Sequence, residues 1–547
     1  MAEGRIIRTC DRLIVLAALI AAPVVPVLAA DPPRGGELSA YVRARAADAE
    51  GAADVAAHGY ALALAADPGN EVIAIRAFRE ALAVGDMALA RRALSVLEAS
   101  NVAPADGALL RFADHVAARR WDAARASADR IGQGPLDFVG PVLNAWLTLE
   151  TRTGDPLAVL DAGEGNAISR RYSNEARALL QIASGQSDAA KQTLQTMLAS
   201  DQGSLDLRIA AARLFAGRGD KGTARALLAG NDPLIVAQRE ALGRGEKADA
   251  AFGAATLFVR LAGDLSTDDE PSPLVVLLTR AALLLDPSND RATLLLAQAL
   301  SNDGAGARAL ALIDRVRPRS PFHPLAERLR IGIFERTGDT DAAVQLAARF
   351  SAARDATADD ARTLGDLLVS SDRYAEAADA YATAMARDPD GADWVLNLQR
   401  GGALEQAGRF DEALPFLRRA VELAPDEPVA LNYLGYAQVE RGMNLPDAQA
   451  LLEKARRLKP DDPSITDSLA WAYVQRGQVA KALPLLEQAV VAEPGDVEIN
   501  EHLGDAYWAA GRRYEARYAW RAASVHAGDE DKARLAAKLE HGVDAAR

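Results

Sequence analysis

The sequence predicts an all-α fold, a solenoid of helical hairpins, and three observations predict it. Segments near the C-terminus repeat: their closing prolines Pro389, Pro425, Pro460 and Pro494 lie 36, 35 and 34 residues apart, a period that suits one supersecondary unit. Small residues recur in each unit, Gly365, Gly401, Gly435, Ala470 and Gly504 early, then Ala377, Ala413, Ala448, Ala482 and Ala516, and large ones follow at Tyr381, Leu417, Leu452, Leu486 and Trp520. Half of the residues are apolar yet only 5% are aromatic, with alanine and leucine dominant, as closely spaced helices require.

Each unit reads as two helices. In the fourth, Leu469, Ala470 and Tyr473 fall at i, i+1, i+4 and Ala482, Leu486 and Ala489 at i, i+4, i+7, with Gly477 in the turn between them. Small residues on both helices let them approach closely, and because one hairpin cannot bury its apolar face alone, neighbours must stack. Residues 442–446 (GMNLP) carry one extra turn residue, and Gly528 stands where the last unit would have its proline. These five units, from 358 to 528, resemble tetratricopeptide (TPR) repeats. The resemblance implies a right-handed TPR α-solenoid that binds proteins and rarely catalyses.

Upstream the pattern weakens but continues. Gly51, Ala56, Tyr60, Ala63 and Pro68 keep the spacing, followed by Gly85, Ala90 and Leu94, and further turns are marked at Gly154, Gly185, Gly217–Gly222, Gly304–Gly306 and Gly338. About fourteen hairpins are expected from 37 to 528, degenerate over 30–357 and regular over 358–528, with 529–547 as a capping helix. Residues 264–273 and 353–360 are candidate loops, too short for flexible linkers, so one continuous superhelix is expected.

The N-terminus reads as a secretory signal peptide over 1–29. Arg5, Arg8 and Arg12 precede an apolar run from Leu13 to Ala22, and Val27-Leu28-Ala29 supplies small residues at −3 and −1, placing the cut between Ala29 and Ala30. The expected location is the periplasm, and two prolines break the run before it reaches spanning length. The single cysteine, Cys10, precedes the apolar run rather than ending it, so no lipobox encodes a membrane attachment. Removing the leader takes three arginines and two acids, moving the net charge from −14 to −15. Such a surface repels phosphates, which disfavours nucleic acid and anionic lipid as partners.

Catalytic signals are few. The six histidines, His58, His115, His323, His502, His526 and His541, form no HExxH pair, and no cofactor or metal is expected. Residues 217–222 (GRGDKG) match GxGxxG, but a dinucleotide fingerprint must follow a strand and the preceding LRIAAARLFA is helical by period, so they read as a turn between helices. The TPR resemblance instead implies a concave groove lined by the first helix of each hairpin. Its groove positions fall on Asn432, Tyr433, Tyr436 and Glu440, then Asp467, Ser468, Trp471 and Gln475, then Glu501, His502, Asp505 and Trp508. Aromatic anchors ringed by polar groups are the stuff of binding hot spots, although Trp471 and Trp508 also suit packing between hairpins. The groove is acidic and lacks the lysines of TPR domains that clamp a terminal carboxylate, so that ligand is disfavoured.

The layout as a whole resembles large periplasmic TPR proteins of Gram-negative bacteria, among them lipoprotein adaptors that present substrates to a processing protease. That resemblance implies a scaffold whose partners are other proteins or peptides, such as a periplasmic protease or cell-wall enzyme. Two other readings stay open: a component of an envelope polysaccharide or protein export complex, and an enzyme in the degenerate half.

Overall fold

The computed structural model describes residues 35–543 apart from 162–166, 200–203 and 267–270. The expected leader over 1–29, Cys10 and the core of the 264–273 loop lie outside the described residues. Thirty helices and no strand occur among the described residues: fourteen successive pairs, one short extra helix Pro233–Glu240, and the terminal helix Asp529–His541. The hairpin count read from turns and periods is therefore met. Contacts divide the chain into two compact units, one up to Ala343 and one from Val344 onward.

In the C-terminal unit the five repeats are Ala358–Val369 with Tyr374–Arg387, Trp394–Gln406 with Phe410–Leu423, Pro428–Glu440 with Leu445–Leu458, Pro463–Gln475 with Val479–Ala492, and Val497–Ala509 with Arg513–His526. First helices start on side-chain caps: Asp393, Asp462 and Asp496 accept from the amides of Leu396, Ile465 and Ile499 at 2.8, 3.0 and 2.8 Å, satisfying donors that the helix leaves orphaned. Gly477 closes the turn of repeat four at φ 71°. In repeat three the extra residue is absorbed by Asn444, which takes φ 47° just before the second helix.

The small-residue register has a direct meaning. A Cβ on Gly435 would come within 2.7 Å of Leu452, one on Gly401 within 2.6 Å of Leu417, and one on Gly504 within 2.3 Å of Trp520. The tight contact is thus glycine against the large residue of the second helix, rather than small against small. From repeat three onward the core falls into separate clusters, such as Leu452 with Leu469, Leu486 with Leu503, and Trp520 with Leu535 of the terminal helix. Each cluster joins neighbours in the chain, as in a quasi-one-dimensional stack.

The unit up to Ala343 is built otherwise. One continuous buried cluster runs from Ala40 to Ile333, because helices Ala250–Leu265 and Pro273–Leu285 fold back onto helices far upstream, among them Glu71–Val84, Gly107–Ala117 and Val139–Thr151. The backbone of Gly253 lies so close to Trp146 that a Cβ there would sit 2.0 Å from the indole, and Phe258 meets Phe112 edge-on at 6.3 Å. Arg280 donates to the carbonyls of Leu82 and Ala83 at 3.0 and 3.1 Å, and Arg308 pairs with Asp54 at 2.9 Å. A buried pair, Arg260 with Glu175 at 3.2 Å, ties helix 250–265 to Ala167–Ala183. Helix 250–265 buries Gly253, Ala254, Ala255, Leu257, Phe258, Val259, Leu261 and Ala262 on nearly all sides, and a helix apolar all round must be enclosed.

Candidate functional site

The first helices of repeats three, four and five stand side by side, which brings the expected groove positions together across the repeats. Asp467 and His502 are both buried and share a hydrogen bond, Oδ2 to Nδ1, of 2.8 Å. Trp471 stacks on the His502 ring at 4.0 Å and 11°, and Tyr436 tilts over it at 6.4 Å. The indole Nε1 of Trp471 donates to Glu440 at 2.6 Å, while the Tyr436 hydroxyl reaches past repeat four to donate to Glu498. Glu440 and Glu498 are exposed as residues, although the Glu498 carboxyl is drawn in against Tyr436 and His502.

Electrostatics follow from this enclosure. Burial opposes a charged imidazole at His502, but Asp467, with Glu498 and Glu440 behind it, outweighs burial and lifts the ring to about 9. Loss of water raises the Glu498 carboxyl, and Asp467 and Asp496 add to that rise against His502 and the Tyr436 bond. Tyr436 is pushed up by burial and then by Glu498 and Glu440, so it stays a donor.

The other named positions divide. Tyr433 donates to Glu405 at 3.4 Å. Ser468 turns its hydroxyl back to the Ser464 carbonyl at 2.9 Å, and Gln475 is exposed. Asn432 Oδ1 and Asp467 Oδ1 are buried acceptors with no hydrogen-bond partner among the described residues.

Glu501, Asp505 and Trp508 do not line an open groove: the terminal helix 529–541 covers them. Arg534 grips Glu501 at 2.9 and 2.7 Å, and Lys538 reaches Glu501 at 2.6 Å and Asp505 at 2.7 Å. Asp505 also accepts from the Trp520 indole at 2.9 Å, and Trp508 packs on Trp520 at 5.4 Å beneath Gly542. Burial would raise the Glu501 carboxyl, but Arg534 and Lys538 override it and hold it at about 2. Packing, the alternative weighed for Trp508, describes its surroundings. Sequence reasoning left out Glu498, although the same register puts it at position 2 of the fifth repeat.

The GxGxxG run spans the junction of helices Leu205–Gly217 and Lys221–Leu227, with no strand before it among the described residues. A Cβ at Gly217 would meet the Glu246 carbonyl at 1.9 Å, so close backbone approach explains that glycine. Among the described residues no helix is long and apolar enough to cross a membrane, and no group of three or more histidine, cysteine, aspartate or glutamate side chains gathers as a metal site.

Comparison with known proteins places the repeats. Residues 362–428 and 468–532 match one tetratricopeptide repeat model and 404–472 match a second. Among solved structures, a thermophilic TPR protein of Thermus thermophilus, TTC0263, is 22% identical over 34% of this chain and all 100% of its own, with a TM-score of 0.30. MamA of AMB-1 is 22% identical over 34% of this chain and 99% of its own, with a TM-score of 0.27. MamA of Desulfovibrio magneticus RS-1 is 19% identical over 31% and 94%, with a TM-score of 0.28. No curated protein matches the chain.

Proposed function

From a run of tetratricopeptide repeats, a type of unit that serves protein–protein interaction, we propose that this chain is a non-enzymatic periplasmic scaffold or adaptor. It holds envelope proteins through the first-helix groove of repeats three to five. The observation that carries the reading is the set of exposed Glu440, Gln475 and Glu498 around the part-buried rings of Tyr436 and Trp471. The periplasmic part rests on the N-terminal arginines, apolar run and Val27-Leu28-Ala29.

Affinity capture from the periplasm with mass spectrometry tests both parts. Wild type is expected in the periplasmic fraction, with Ala30 as its first residue, recovering envelope proteins that the Glu440→Lys, Glu498→Lys double variant fails to recover. Intact Met1 in the major species removes the location. Equal capture by a folded double variant removes the groove.

A further inference from the structure

Two neighbouring parts of the first-helix face treat their carboxylates differently. Under the terminal helix, Glu501 and Asp505 are met by cations: Arg534 and Lys538 stand one turn apart, Arg534 reaching Glu501 and Lys538 reaching both. On the open part, Glu440 is met by an indole N–H and Glu498 by a phenol O–H, and among the described residues no salt bridge to lysine or arginine reaches either one. Asp467, only 4% exposed, gives one oxygen to His502 and leaves the other unpaired, as is Asn432 Oδ1 on the preceding repeat. Three carboxylates therefore face one imidazole, and charge as well as hydrogen-bond donors are in deficit there.

We propose that the groove of repeats three to five takes a lysine- or arginine-bearing segment of a partner protein, whose cations answer the carboxylates of Glu440 and Glu498. The inference rests on the groove being the binding surface. The terminal helix is its internal precedent: basic side chains at i and i+4 already satisfy the equivalent face of the last repeat. The rings of Trp471 and Tyr436 add surface on which a guanidinium or ammonium stacks.

The test uses the full mature chain and three labelled dodecapeptides, one rich in lysine and arginine, one rich in glutamate and aspartate, and one of serine and glycine, read by fluorescence anisotropy at low and high salt. The basic peptide is expected to bind, to weaken as salt screens it, and to lose about tenfold in affinity with Glu440→Gln or Glu498→Gln, since bonds to charged groups carry that much. Glutamine keeps an acceptor for the indole or phenol, so circular dichroism should stay unchanged. Equal binding of the acidic or neutral peptide, indifference to both substitutions, or no binding of the basic peptide overturns the inference. The periplasmic capture with the charge-reversal variant judges the groove separately: if it still loses its partners while the peptides show no basic preference, the groove stands and its ligand class falls.

Discussion

The unit up to Ala343 and the unit from Val344 onward are made of the same hairpins, yet they bury their apolar surface in different ways. In the first, one cluster links Ala40 to Ile333 because helices 250–265 and 273–285 return to helices far upstream. In the second, from repeat three on, clusters join only consecutive elements. The difference shows what a regular repeat preserves. Where the apolar core is built between neighbouring hairpins, a first-helix face stays available to something else; where helix 250–265 packs on helices 107–117 and 139–151, the chain itself occupies that face.

The comparison breaks first at Gly253. Gly253→Ala puts a methyl group 2.0 Å from the Trp146 ring, and overpacking there should cost about 3 kcal/mol or more. Denaturant melts should show the loss, and hydrogen exchange should spread it over helices 71–84, 139–151 and 250–265 together. A loss confined to helix 250–265 would mean the shared core is not cooperative.

Gly435→Leu is the counterpart in the repeats. Its side chain meets Leu452 and the Ala448 carbonyl within 2.7 and 3.2 Å, for a cost of about 2 to 3 kcal/mol. Exchange should rise in repeats three and four and leave the unit before Ala343 unchanged. A neutral melt would show that the register assigned to repeat three is wrong.

His502 sharpens the comparison by pH. Its folded pKa is raised from 6.5 to about 9, so its contribution is complete below about 6.5 and is lost as pH rises through 9. The repeats should lose on the order of 3 kcal/mol across that window. Urea midpoints followed by circular dichroism at pH 6.5 and 9.5 would show it, and His502→Gln should flatten the slope. Equal midpoints in the wild type would remove the imidazolium from the account.

Much of the regular unit was legible because its signals are local. Gly435 and Leu452, or Gly504 and Trp520, fall at fixed spacings, and those spacings became the observed contacts. Residues 529–547 read as a cap, and helix 529–541 packs as one on Trp520 through Leu535. The return of helix 250–265 was not legible from period, since contacts between residues a hundred positions apart leave no periodic trace. Its available signal was composition: AAFGAATLFVRLAG has almost no polar side to give to water. Register alone also says nothing of what covers a groove position, so Glu501, Asp505 and Trp508 were grouped with Tyr436. Arg534 and Lys538, one turn apart on the cap, were the clue that Glu501 and Asp505 were spoken for.

Photo-crosslinking in living cells tests most directly the claim that binding uses the open groove of the repeats. A photoreactive phenylalanine analogue at Gln475, exposed among the groove residues, is compared with one at Leu62, exposed in the unit before Ala343. The account predicts partner adducts from Gln475, reduced when Glu440→Lys and Glu498→Lys are added, and none from Leu62. Adducts from Leu62 with none from Gln475 would contradict it.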